Sequence, residues 1–224
     1  AVARLPTGTR AVFIYEDDVS YPSNYNEGML AVLEGRQAGM VSCVELRGQG
    51  IFHRLAAAAF CLSHLPPLDD RRPALASSPA ARTIPTRFLS GGLTLVDARV
   101  FEAHGYDERL TGYCPGEDMD FSSRVSRSFP TYLTSTVRCV HRSVGIRRMP
   151  ADRQVVEKLN AWLYFAHKNA KGGAAALVWL LVGLFADALV VTIRSARPAV
   201  LTAWVRSLRA WVLHGQYTSE YIRQ

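Results

Sequence analysis

The sequence predicts an α/β fold, a mixed sheet with helices packed on it, followed by a C-terminal helical segment of different character. Three observations carry this. Short runs rich in β-branched and aromatic residues alternate with stretches of helical periodicity, the pattern of sheets covered by helices. One such run, Val12-Phe13-Ile14-Tyr15, stops abruptly in Glu16-Asp17-Asp18. Charge is also split along the chain: residues 1–140 hold 14 Lys+Arg against 15 Asp+Glu, and residues 141–224 hold 12 against 4. The whole net charge of +7 therefore belongs to the C-terminal part. A hydrophobic content of 49% excludes a disordered chain, and 224 residues suffice for one ordinary domain with an appendage.

In chain order, Pro6 and Gly8 turn into a strand at 11–15, read as buried on both faces in an open parallel sheet. Ligands of such sheets gather beyond the carboxyl ends of the strands. Alternation puts Glu16 and Asp18 on one face and turns Asp17 away. Hard oxygen ligands so placed suit Mg²⁺ or Mn²⁺ shared with a phosphate, and a solvated acidic turn is the plain alternative. A helix capped at Ser23 or Asn24 follows, with Met29, Leu30 and Leu33 inward and an end at Gly35, and then a strand over 40–46. Residues 48–87 read as a long excursion over the site. Order returns with a strand over 88–96 interrupted by Gly91-Gly92, a mark of close approach by a ligand or of a simple bulge. Asp97 caps a short helix carrying Val100 and Phe101 inward, closed by Gly105. A helix starts near Gly116 with Glu117, Asp118 and Asp120 in its first turn, where carboxylates also complement the helix dipole. A strand over 131–140 ends at His141.

From Asp152 the chain reads as helical, with Val155, Val156, Leu159, Trp162, Leu163 and Phe165 on one stripe while Lys158, His167 and Lys168 face elsewhere. Residues 174–193 are almost continuously apolar, about the length of a bilayer span, with Asp187 an expensive exception. Pro198 starts a further helix with Leu201, Trp204, Val205, Leu208, Trp211 and Val212 on one side and Arg206 and Arg209 flanking it. Tryptophan with arginine on such a helix reads as membrane-surface binding. A monotopic hairpin is favoured over a single-pass span, with a soluble cap or dimer surface as the third reading. Cys43, Cys61, Cys114 and Cys139 form no C-x-x-C pair, which excludes the usual zinc spacings, fits reduced thiols and makes them packing residues. No signal-peptide pattern opens the sequence.

Taken together, these stretches resemble the inverting glycosyltransferases of family 2, whose nucleotide-sugar-binding domain has the Rossmann-like GT-A fold. The matching residues are Val12–Val19 around Glu16-Asp17-Asp18, then Ser90-Gly91-Gly92-Leu93-Thr94-Leu95-Val96 through Val100-Phe101-Glu102 to Gly105-Tyr106-Asp107-Glu108-Arg109-Leu110. Gly116–Arg124, with Glu117-Asp118, completes the set. The resemblance covers about residues 5–170. It implies a partial GT-A domain over 1–170 and apolar and amphipathic helices over 171–224. It implies a divalent metal, Mg²⁺ or Mn²⁺, held by Asp18 and Glu16 with His141, and Asp17 near the donor. Gly91 and Gly92 would line the passage of donor and acceptor, Asp118 would be the general base, and Glu117 would orient the acceptor.

The partners implied are a nucleotide-diphosphate sugar, a glycan or lipid-linked acceptor and an anionic membrane surface, with no nucleic acid, at the cytoplasmic face of the cell membrane. Cell-envelope polysaccharide is the expected product. Asp120 is read as solvent-facing or capping. Glu16 stands where the family more often has Asp. The family's first strand and nucleotide pocket have no counterpart, so the chain as it stands is expected to bind donor poorly, the activity belonging to a longer protein. A nucleotidyltransferase is the competing enzyme class, and a non-catalytic membrane-bound interaction module the competing non-enzyme.

Overall fold

The computed structural model describes residues 5–46, 75–76, 78–111, 114, 116–142, 149–169 and 173–222. They run through β1 (Ala11–Tyr15), β2 (Val19–Ser20), α1 (Tyr25–Gly35), β3 (Met40–Glu45), β4 (Thr83–Pro85) and β5 (Leu93–Asp97). Then come α2 (Ala98–Ala103), α3 (Glu117–Val125), β6 (Thr131–His141), α4 (Ala151–Asn169), α5 (Gly173–Ser195) and α6 (Pro198–His214).

The strands form one mixed sheet in the order β1-β5-β3-β6-β2, with β4 also on β6. β5 runs antiparallel to both β1 and β3, whereas β3 and β6 are parallel. The two-residue period of a strand sorts its side chains between two cores. On one face Val41, Cys43, Leu93, Leu95, Val137 and Cys139 meet Tyr25, Met29 and Leu33 of α1. On the other, Met40, Val44, Val96 and Leu133 meet Val100 of α2 and Phe121 and Val125 of α3. The result is a mixed α/β layer structure.

Beyond it, α4 carries a third core. Val155, Leu159, Leu163 and Phe165 pack with Phe88 and Met119 on one side, and with Leu180, Leu184 and Ala188 of α5 and Val200 and Trp204 of α6 on the other. The apolar C-terminal helix α5 is therefore docked along α4 and α6. The domain boundary expected at 170/171 falls outside the described residues.

Several expectations need correction. β1 is only half-buried, because β5 pairs with one of its edges and no described strand pairs with the other. Gly91 and Gly92 form a turn before β5 and do not interrupt a strand. Of the excursion over 48–87, residues up to 74 lie outside the described ones, but its end forms β4, whose Thr83-Ile84-Pro85 is too short to show alternation. The short helix stops at His104, one residue before Gly105, and Asp97 caps it by accepting from Arg99 N–H at 2.9 Å. The helix after Pro22 begins where expected, but Asn24 makes no side-chain capping bond. Cys43 and Cys139, remote in sequence, place their buried sulfurs 3.3 Å apart across β3 and β6.

Candidate functional site

The acidic residues after β1 lie in a turn, not on a strand, so alternation does not set their directions. What sets them is β6. Its register against β3 slips between Cys43 and Val44, from Cys43↔Thr134 to Val44↔Arg138. This bulge, an extra loop of chain on one strand, re-aims the end of β6. That end then pairs with β2, Val19 opposite His141, and Arg142 N–H donates to Asp18 O at 2.8 Å. His141 Nε2 consequently lies 3.5 Å from Glu16 Oε2 and 3.5 Å from Asp18 Oδ1. The ligand atoms of Glu16, Asp18 and His141 all fall within 4.8 Å of one another, and Asp17 is not among them.

These donors fit a divalent cation. Bonds of about 2.1 Å put neighbouring ligands about 3 Å apart, so small side-chain movements would close the set around an ion. Two carboxylates suit Mg²⁺ or Mn²⁺, and the imidazole tilts the choice toward Mn²⁺. Burial raises the pKa of Glu16; the neighbouring His141 opposes the shift, and the Asp18 charge adds to it. A cation would relieve both the desolvation and the repulsion.

Tyr21 ties this turn to the next one. Its hydroxyl donates to Gly92 O at 2.6 Å and accepts from Glu16 N–H at 2.8 Å. Burial, chiefly, pushes the phenol up to about 12, so it stays a donor. A methyl group on Gly92 would collide with the Glu16 side chain, so only glycine lets the two turns approach this closely. One residue earlier, Gly91 N–H donates to Asp118 Oδ2 at 3.0 Å, and a Cβ there would stand 3.3 Å from Asp118 Cβ. Gly91-Gly92 thus joins the metal-type triad on one side to the start of α3 on the other.

Helix α3 begins after Gly116, whose φ of 93° is the left-handed conformation that glycine tolerates best. Asp118 Oδ1 also accepts from Met119 N–H at 2.8 Å, so both of its oxygens are held by backbone donors. Glu117 has its pKa raised by burial and by the adjacent Asp118 charge. The Tyr106 ring stacks on Phe121 close to both carboxylates, and burial with their charge pushes its phenol to about 12.

Asp120 differs from the expectation altogether. It is 1% exposed, bonded to Arg124 at 2.9 Å, to Lys168 at 2.9 Å and to Asn169 at 2.7 Å. Lys168, expected off the apolar stripe, bridges it to Asp107, which also receives Tyr164 Oη at 2.5 Å. Burial works against the Asp107 charge, but the Lys168 and Tyr164 hydrogen bonds overcome it and bring this carboxyl down to about 2. Sequence reasoning missed Tyr21, Tyr106 and Lys168 in these roles. For Lys168 a signal was present: it stands three residues after the inward Phe165, near a helical turn's repeat.

The chain matches no model of a known protein family, and no curated protein is significantly similar to it.

Proposed function

We propose that this chain is part of a metal-assisted, inverting glycosyltransferase of GT-A type, moving a sugar from a nucleotide-diphosphate donor to a hydroxyl of a glycan or lipid-linked acceptor. The reading rests on one observation above the others. The Gly91-Gly92 turn brings a two-carboxylate and histidine set within reach of a second, separately held carboxylate, Asp118. Leaving-group stabilisation and proton removal need such groups side by side but distinct.

In this reading Glu16, Asp18 and His141 would hold Mn²⁺ or Mg²⁺, which would supply Lewis-acid stabilisation of the departing diphosphate. Asp118, its oxygens steered by Gly91 and Met119 N–H groups, takes the proton of the acceptor hydroxyl as that oxygen attacks the anomeric carbon. Glu117 orients the acceptor, and its raised pKa lets it share a proton in a hydrogen bond. Asp17, outside the triad, lies on the donor side. Gly91 and Gly92 keep side-chain atoms out of the path. The work takes place at the cytoplasmic face of the cell membrane.

Calorimetric titration with Mn²⁺, alone and with a panel of nucleoside diphosphates, tests the proposal on the full-length protein. Mn²⁺ should bind and raise nucleotide affinity, and Asp18→Ala should abolish that gain while Asp118→Asn keeps it. Unchanged Mn²⁺-dependent nucleotide affinity in Asp18→Ala would reject the assignment. Mn²⁺ binding with no nucleotide response would favour a non-catalytic cation-binding module.

A further inference from the structure

Helix α5 is 23 residues long, with a mean hydropathy of 2.4 in its most apolar stretch, enough by length and composition to cross a bilayer. Its two faces are used very differently. The inner face, Leu180, Gly183, Leu184 and Ala188, is buried, its apolar side chains sharing one core with Leu159 and Leu163 of α4 and Val200 and Trp204 of α6. Asp187 belongs to that side too, paired with Lys158 of α4 at 2.7 Å. The outer face carries Val178, Val182, Phe185, Leu189 and Ile193, all exposed, Val178 by 60% and Ile193 by 70%. Their spacing of three and four residues makes a single stripe about 22 Å long at 1.5 Å per residue. On α6, Val205, Val212 and Leu213 are exposed as well.

We propose that α5 lies in the plane of an anionic bilayer, sunk by this outer stripe with α6 beside it, and does not cross the membrane. Charge argues for the partner. Arg194, Arg197, Arg206 and Arg209 are all exposed on α5, α6 and the link between them, and Asp187, the one acidic residue of α5 and α6, is already neutralised by Lys158. Such a surface, apolar in the middle with free cations beside it, matches acyl chains under anionic headgroups. Geometry argues against crossing. An upright α5 would either take α4, with Lys158 and its other polar side chains, into hydrocarbon, or peel away and leave Asp187 there without its partner. The inference concerns the surface alone and stands whether or not the chain transfers sugars.

Depth measurements decide it. Bimane is attached to Val178→Cys or Ile193→Cys in a Cys61→Ser background, the other three cysteines being buried. The labelled protein is bound to phosphatidylglycerol–phosphatidylcholine vesicles carrying quenchers at graded depths. Both labels, and a third at Phe185→Cys, should report one shallow depth; a 185 label about 10 Å deeper than the two end labels would mean a span and overturn the proposal. In flotation assays Val182→Glu with Leu189→Glu should lower vesicle binding by about tenfold or more with an unchanged thermal midpoint. Binding should also weaken on pure phosphatidylcholine. Undiminished flotation of the double variant, or a stable dimer in light scattering that covers these labels without lipid, would overturn it.

Discussion

Two groups of carboxylates flank α3, and they keep opposite company. Asp120 and Asp107 are surrounded by Arg124, Lys168, Asn169 and Tyr164, so their charges are answered within the fold. Glu117 and Asp118, and Glu16 and Asp18 across the Gly91-Gly92 turn, have backbone N–H groups, Tyr21 at the Glu16 backbone and one histidine around them. Asp118 and Asp120 leave the helix only two residues apart, about 200° around its axis. One direction leads into a saturated charge network, the other toward the Gly91-Gly92 turn and the Glu16, Asp18 and His141 cluster beyond it. The lesson is that a carboxylate's role follows from what already satisfies it, and acidity of the sequence says little by itself.

The contrast makes its largest prediction at Asp118. Under the proposed function, Asp118→Asn should cut turnover by about 10² to 10⁴, roughly 3–5 kcal/mol of barrier, since a general base contributes on that order. Its thermal midpoint should hardly move, Asn keeping one backbone-bonded oxygen. Steady-state kinetics beside a melting curve check this, and a turnover within a few-fold of the parent would refute the base role.

Asp120→Ala should do the reverse. Removing one member of a buried charge network leaves the others unsatisfied and costs ~3–5 kcal/mol of stability. Urea unfolding should show that loss, while Mn²⁺ affinity of the folded protein stays near the parent value. This replaces the expectation that Asp120 is an exposed, dispensable cap; a mild effect would restore that view.

A smaller change tests the turn inside the second group, between Glu16 and Asp18 on one side and Asp118 on the other. Gly92→Ala pushes the half-exposed, flexible Glu16 side chain aside without disturbing a core, so it should weaken Mn²⁺ binding by about tenfold and spare stability. Equal loss of both would mean that the turn is structural only.

The smallest effect concerns pH. Asp107 titrates at about 2 in the folded chain, against about 3.9 in an unfolded one. Because the folded value is the lower, this group stabilises the fold above the unfolded value, and the contribution fades as pH falls from about 4 toward 2. Asp107→Asn should flatten the acid limb of the stability curve in that window. A curve parallel to the parent's there would show the Lys168 pair to be inconsequential.

Much of this was legible beforehand, and the reasons differ by residue. Gly116 followed by acidic residues and then Phe121 and Val125 announces a helix start whatever surrounds it, because capping and periodicity are local. The meeting of Glu16 and Asp18 with His141 is expected only through the resemblance to a known family, and its cause, the slipped register of β6, leaves no trace in composition. Asp120 was misread because helical phase says which way a side chain leaves, not that Lys168 waits opposite it from another helix. β1 was misread because an apolar run looks the same in the middle of a sheet and at its edge. Tyr21 escaped notice because an aromatic residue reads as packing, while its contribution is two hydrogen bonds at the ring's tip.

The parallel pairing of β3 with β6 also bears on how the chain acquires its chemistry in time. Cys43 meets Thr134 across roughly ninety residues of intervening chain, a closure whose entropy must be met before any ladder bond rewards it. Helices α1 and α3 can flicker into being early, but Asp18 and His141 are strangers until that central pair has zipped and β2 has joined its end. The Glu16, Asp18 and His141 set is therefore complete only at the last step of sheet assembly, and a nascent or misassembled chain, however helical, lacks it.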